Sequence, residues 1–237
     1  MRIKYIIPVL LDIFNKPTEE FLKRYARPDT EITVVNTSIG PETVECGYDS
    51  AFAEVAAVLE AEKAEREGYD AVILGCFCDP GGIGAREALN IPVIGIGHSA
   101  LLLAAVLGER ISVITVGNPH TSMVYAHHFA KIAGVESKVV SGRALNIPVE
   151  ELLLDFDKLI NALIESGRKA VELDDADVLV LGCGAIFEAK ERMEGALGVP
   201  VVDPALAGLK MAETCVELKL CHSKRTFPNP PEKKRVI

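Results

Sequence analysis

Positive charge is scarce in this sequence. Its 25 lysines and arginines are outnumbered by 34 aspartates and glutamates, for a net charge of −9, and they gather only at Lys233, Lys234 and Arg235 in a proline-rich tail. A nucleic-acid surface needs clustered cations to replace the counterions around phosphate, so no nucleic-acid partner is expected. Long uninterrupted hydrophobic runs are missing too, although 49% of the residues are hydrophobic. The most apolar window, residues 91–108, is broken by Pro92, Gly95, Gly97 and His98. It fits a strand followed by a helix and not a membrane span. The N-terminal run MRIKYIIPVLLDIF has no A-x-A-like cleavage site and is interrupted by Pro8 and Asp12, so it reads as the first strand of a cytoplasmic protein.

Cofactor and metal signatures are equally lacking. There is no G-x-G-x-x-G and no G-x4-G-K-[ST], and nothing marks a pyridoxal lysine. Gly81, Gly82 and Gly84 form a glycine-rich turn where backbone amides can approach a small anion. No cofactor is expected. Cys76 and Cys78, joined in space by Cys183 and a histidine, could surround zinc, but C-x2-C and H-x3-H spacings are absent, so no metal is expected either. In an unexported chain of this length the six cysteines read as thiols and not as a disulfide framework.

What the sequence does contain is a repeat. Residues 70–84, DAVILGCFCDPGGIG, read as a buried strand that stops at a cysteine and turns toward a helix; residues 177–188, DVLVLGCGAIFE, echo it. Asp70 and Asp177 are 107 residues apart, as are Cys76 and Cys183. The apolar runs at Ile3 and Ile111 and the Pro-Val strands at Pro92 and Pro200 recur at 108. Residues 3–11, 31–36, 71–75 and 91–96 are expected as strands, and 17–26 (with Thr18 as N-cap), 51–68, 84–89 and 99–107 as helices. In 51–68, Phe52, Val55, Ala56, Leu59 and Ala64 mark the apolar face. The second half supplies strands at 111–116, 138–140, 178–181 and 199–202, helices at 121–133, 149–173 and 205–220, and a tail from 221. Strands alternating with helices predict parallel sheets covered on both faces. The chain is therefore a tandem duplication of one α/β unit, and two such units facing each other about a pseudo-twofold axis would set Cys76 and Cys183 on opposite walls of one cleft.

Free cysteine also packs in cores, but a position just past the last strand residue, beside glycine, is a switch-point position. A cysteine ahead of a helix N-terminus feels unpaired amides and the positive end of the dipole, which favour thiolate. That setting is expected for Cys76, with Pro80 at the first helical turn, and for Cys183. Two acid-base groups on opposite faces of one carbon fit stereoinversion: one thiolate removes a proton while the other thiol delivers one. The amides of Phe77, Cys78, Gly184 and Ala185 would hold a developing oxyanion. Pro8, Val9, Gly117 and Asn118 would line the cleft from the paired first strands. Acyl transfer by a single cysteine would need an oriented histidine base. Of the five histidines His98 could line the cleft and His120 could cap or precede a helix, while His127, His128 and His222 read as surface or packing residues.

These residues resemble the aspartate/glutamate/hydantoin racemase superfamily, and most closely its hydantoin and allantoin racemase branch. The resemblance spans nearly all of residues 1–210. It rests on Gly40-Pro41-Glu42-Thr43-Val44-Glu45 with Asp49, on Cys76-Phe77 followed by Asp79-Pro80-Gly81, on Ile91-Pro92-Val93, and on Leu181-Gly182-Cys183 with Val199-Pro200-Val201. It implies two flavodoxin-like, doubly wound parallel-sheet domains related by pseudo-twofold symmetry, with residues 1–98 and 207–237 in the first and 99–206 in the second. It also implies cofactor-independent racemisation, catalytic thiols at Cys76 and Cys183, and a last helix that crosses back onto the first domain. The expected partners are a small-molecule substrate and further copies of the chain, as a homo-oligomer. Two features depart from the branch. Ile7-Pro8-Val9-Leu10 stands where many relatives have Asn-Pro-Asn-Thr, and Cys78 replaces a Ser or Gly. An apolar wall at Val9 and Leu10 would favour a bulkier or less polar substrate. The rival readings are a maleate isomerase-like or arylmalonate decarboxylase-like enzyme, or a small-acid-binding module without turnover.

Overall fold

The computed structural model describes residues 1–117 and 119–236, with the backbone alone at 119–121. Two parallel four-stranded sheets carry the same strand order. In the first, β1 (Arg2–Ile7), β2 (Glu31–Asn36), β3 (Ala71–Leu74) and β4 (Val93–Gly95) run in the order β2-β1-β3-β4. In the second, β5 (Ile111–Thr115), β6 (Val139–Ala144), β7 (Val178–Leu181) and β8 (Val201–Val202) run β6-β5-β7-β8. The helices are α1 (Asn15–Tyr25), α2 (Gly47–Arg66), α3 (Gly82–Ala88), α4 (Ile96–Leu107), α5 (Pro119–Ile132), α6 (Phe156–Asp174), α7 (Lys190–Leu197) and α8 (Pro204–Glu217). The central strands are buried apart from Arg2 at the start of β1 and Thr115 at the end of β5, as a parallel sheet covered on both faces requires.

The repeat has a physical basis at both ends of each central strand. The Asp70 carboxylate accepts from Arg2 N at 2.6 Å, and the Arg2 guanidinium donates to the carbonyls of Glu67 and Gly68 just past α2. In the second half Asp177 accepts from Arg110 N at 2.8 Å, and Arg110 donates to the carbonyls of Asp174 and Asp175 at the end of α6. At the other end Gly75 N donates to Ile6 O and Gly182 N to Ile114 O, both at 2.7 Å, delivering the two cysteines to the same edge of their sheets.

The last helix of each half lies across the other half. Helix α4, which follows β4, packs on β7 and β8, while α8, which follows β8, packs on β3 and β4; the two helices also pack on each other. Between the sheets one buried cluster runs through both halves, from Ile3, Tyr5 and Ile73 to Ile114, Leu179 and Leu181.

Several local expectations change. Thr18 lies inside α1, where its hydroxyl donates to Phe14 O at 2.7 Å, so it is not the N-cap. The expected face of α2 holds at Ala56 and Ala64, which are buried with Ala53, Ala57, Glu60 and Ala61, but not at Phe52 and Val55, which are 52% and 42% exposed. Close approach to the sheet selects the small side chains. The expected helix over 149–173 is a 3-10 turn (Val149–Glu151) followed by α6, capped by the Asp155 carboxylate on Lys158 N. Helix α7 has no counterpart among the expected elements, because it is short and polar and fully buries only Met193.

The tail beyond α8 straps the first half. His222 Nε2 accepts from Val93 N at 2.8 Å, and Lys224 Nζ donates to the carbonyls of Arg86, Glu87 and Leu89 at the end of α3. Burial lowers the His222 imidazole to about 4, so it serves as a neutral acceptor. Because this is below its ordinary value of about 6.5, the unfolded chain binds the proton more readily. The contribution is complete above pH 6.5 and is lost as pH falls toward 4. The protection factor of the Val93 amide, which removes the intrinsic pH dependence of exchange, should therefore fall through that window, and no such fall should remain in His222→Gln.

Candidate active site

A cavity of about 360 Å³ opens between the two sheets, lined by residues of both halves. That is the size range of a small-ligand site. Cys76 and Cys183 both line it, with Pro8, Val9, Phe77 and Cys78 from the first half and Gly117, Gly184 and Ala185 from the second. Asn118 and the side chain of His120 lie outside the described residues. Leu10, at 47% exposure, does not line the cavity; its amide instead donates to Pro41 O at 2.9 Å. The apolar wall is made by Val9 together with Phe14, Val44, Val116, Phe129 and Val149.

Neither thiol sits directly at a helix N-terminus. Helix α3 begins at Gly82, six residues after Cys76, with Pro80 outside it and Gly81 as its left-handed N-cap. Helix α7 begins at Lys190, seven residues after Cys183. The amides come from turns instead. Those of Phe77 and Cys78 face the Cys76 sulfur, and that of Ala185 faces the Cys183 sulfur.

The Asp79 carboxylate is turned away from the thiols toward α4. Asp79 adopts a left-handed φ of +47°, and its two oxygens accept from Gly97 N at 3.0 Å and His98 N at 2.8 Å, capping α4. Burial nevertheless pushes this carboxyl up to about 7. His98 is held here by its backbone and does not line the cavity. The fit requires Gly97: a Cβ there would lie 1.9 Å from the Phe77 carbonyl oxygen.

The two thiols differ in environment. Cys76 Sγ lies 3.3 Å from Cys78 Sγ, and this hydrogen bond, ahead of opposing burial and the two turn amides, holds Cys76 below the ordinary thiol value. Among the described residues Cys183 has only the Ala185 amide, and burial pushes it up to about 12, with the charges of Cys76 and Glu45 acting in the same direction. Cys76 is the more readily ionised of the two.

The sequence reading did not assign several lining residues to the cleft, among them Tyr5, Glu45, Tyr125 and His128. Tyr5 projects from β1; its hydroxyl is buried without a hydrogen-bond partner among the described residues, and burial raises its pKa well above the ordinary value. Glu45 accepts from Val149 N at 3.3 Å, linking the loop before α2 to the second half. Tyr125 and His128 come from α5 and so correct the assignment of His128 to a surface or packing role. The spacing of Ser122, Tyr125 and Phe129 along one helical face was the available signal. The Phe129 ring meets Phe77 edge-on at 6.0 Å, joining α5 to the cysteine turn.

Among the described residues no group of three or more His, Cys, Asp or Glu side chains is placed to hold a metal ion. No helix among them is long and apolar enough to cross a membrane.

The family model for Asp/Glu/Hydantoin racemase matches residues 12–212. The chain belongs to this family. As an Asp/Glu/hydantoin racemase family member it is an enzyme of the isomerase class, and it is 36% identical to hydantoin racemase of Pseudomonas sp. (strain NS671) over 237 residues, covering 100% of this chain and 94% of that one. Among solved structures, allantoin racemase from Pseudomonas fluorescens superposes with a TM-score of 0.93 at 32% identity, over 100% of both chains. Allantoin racemase from Klebsiella pneumoniae gives 0.92 at 29% identity, over 98% of this chain and 95% of that chain. The doubly wound, two-sheet architecture of this family member is thus the expected one. Arylmalonate decarboxylase and the maleate isomerase of Pseudomonas putida S16 share the fold alone, at 22% and 17% identity.

Proposed function

We propose that the enzyme racemises a five-membered cyclic ureide of the hydantoin or allantoin type, without a cofactor, by a two-thiol mechanism. The observation that carries this reading is that Cys76 and Cys183, delivered by equivalent glycine turns, line one cavity with unequal tendencies to ionise. The Cys76 thiolate takes the proton from the ring carbon next to the carbonyl. The electron pair of that C–H bond moves onto the carbonyl oxygen, giving an enolate. As the carbonyl re-forms, the Cys183 thiol delivers its proton to the opposite face. Cys76 is then the thiol and Cys183 the thiolate, which is the form that handles the mirror-image substrate.

Backbone amides serve twice in this scheme. Those of Phe77, Cys78 and Ala185 solvate whichever sulfur is charged, and the wall at Gly184 and Ala185 faces the enolate oxygen. Pro8, Val9 and Gly117 bound the ring from the paired first strands, with Asn118 assigned there by sequence. The apolar wall around Val9, Phe14 and Val116 favours substrates with an apolar ring substituent over free aspartate or glutamate. A cytoplasmic location belongs to the same reading, since the working thiols must stay reduced. So does a homo-oligomer, which sedimentation would check.

Incubation of each enantiomer of 5-substituted hydantoins and of allantoin in deuterium oxide, followed by proton NMR, tests the reading. Deuterium should enter at the ring carbon with loss of optical rotation. Binding of these ureides without exchange would support a binding module, and release of carbon dioxide from a malonate would support a decarboxylase.

A further inference from the structure

Cys78 is one of four cysteines lining the cavity, with Cys46, Cys76 and Cys183, and the mechanism above gives its side chain no step. Its Sγ lies 3.3 Å from Cys76 Sγ and 3.9 Å from Ser50 Oγ at the start of α2, so the three groups form a line that ends on Cys76. No hydrogen-bonded thiol stands in the equivalent place beside Cys183, where Gly184 and Ala185 follow the cysteine. The pseudo-symmetry of the two halves is therefore broken at this point.

We propose that Cys78 is a positioning residue that donates its S–H to Cys76 Sγ and thereby makes Cys76, and not Cys183, the resting base. The assignment rests on the two-thiol reading for its catalytic meaning, but the hydrogen bond stands without it. Once the thiol hydrogen is on Cys78, the lone pairs of Cys76 remain directed into the cavity, and the Phe77 and Cys78 amides complete its shell. Cys78 itself is pushed well above an ordinary thiol, first by this hydrogen bond and then by burial, so it stays protonated and able to donate. Among the described residues the other ionisable groups around Cys76 are Asp79 on its own turn, Cys183 opposite, Tyr5 from β1, Glu45, Cys46 and Glu54 from the α2 side, and Tyr125 and His128 from α5. Asp79, Glu45 and Glu54 disfavour a second negative charge when ionised, so none replaces the donor that Cys78 supplies.

Alkylation by iodoacetamide as a function of pH, resolved residue by residue with peptide mass spectrometry, tests this in the absence of substrate. The exposed Cys221, which does not line the cavity, serves as the internal reference. In Cys78→Ala the reactivity of Cys76 at neutral pH should fall roughly tenfold relative to that reference, because the donor that favours its thiolate is gone. In Cys78→Ser, where a hydroxyl can donate in place of the thiol, most of that loss should be recovered. Circular dichroism confirms that both variants are folded. A Cys76 profile in Cys78→Ala that overlays the wild type would overturn the proposal, as would a Cys78→Ser profile no better than Cys78→Ala. If instead no ureide exchanges deuterium, the functional reading falls while the alkylation profiles still decide the role of Cys78.

Discussion

Serine in place of Cys76 or of Cys183 should lower racemisation by roughly 10² to 10⁴, the range that a single well-placed acid or base contributes. The cause is proton affinity: a hydroxyl is far less acidic than a thiol, so it neither forms the base nor gives up its proton to an enolate at neutral pH. The two variants should not fail alike. Cys183→Ser retains the Cys76 thiolate and its two turn amides, so it should still exchange the ring proton of the enantiomer whose C–H faces Cys76, with retention of configuration. Cys76→Ser leaves only the thiol that burial pushes up to about 12, and exchange from the other face should be slower still. Deuterium incorporation into each separated enantiomer measures both. Racemisation at the wild-type rate by either variant would sink the two-thiol scheme.

Alanine at Gly97 should cost about 3 kcal/mol or more of folding stability, at the upper end of what overpacking a core position does. The added Cβ would meet the Phe77 carbonyl oxygen at 1.9 Å. An obstacle made of backbone cannot rotate away as a side-chain tip can. Either the first turn of α4 shifts, breaking the bonds from Gly97 N and His98 N to Asp79, or the Cys76 turn moves out of register with Cys183. Urea unfolding should show a lower midpoint at unchanged slope, and the folded fraction should racemise poorly. A midpoint equal to that of the wild type would mean that the turn and α4 are not in contact as described.

How much of this was legible in the sequence follows from the kind of force involved. The strands around Ile3, Val72, Ile111 and Val178 were visible because a buried parallel strand must be apolar throughout. The two Gly-Cys turns were visible because the repeat marks them twice. Helix α2 misled because a reading weighted by side-chain size favours Phe52 and Val55, whereas the sheet in fact accepts the alanines. Helix α7 was hidden by its polarity. Tyr5, Glu45 and His128 reach the cavity from three separated segments. Only the docking of one half on the other brings them together, and no local pattern encodes that. The helix-dipole argument for the thiols erred in detail: it located the amides correctly near each sulfur but assigned them to helices that begin six or seven residues later.

The crosswise placement of α4 and α8 has a consequence for biosynthesis. Strands β3 and β4 are complete once about the first 95 residues have been made, yet the helix that covers them ends at Glu217. As the chain emerges from the ribosome, the first half must wait with one sheet face bare until nearly the whole protein has been translated. Helix α4, made early, waits in turn for β7 and β8. Neither half can finish alone, so truncation before α8 should leave an exposed apolar sheet and not a stable half-enzyme.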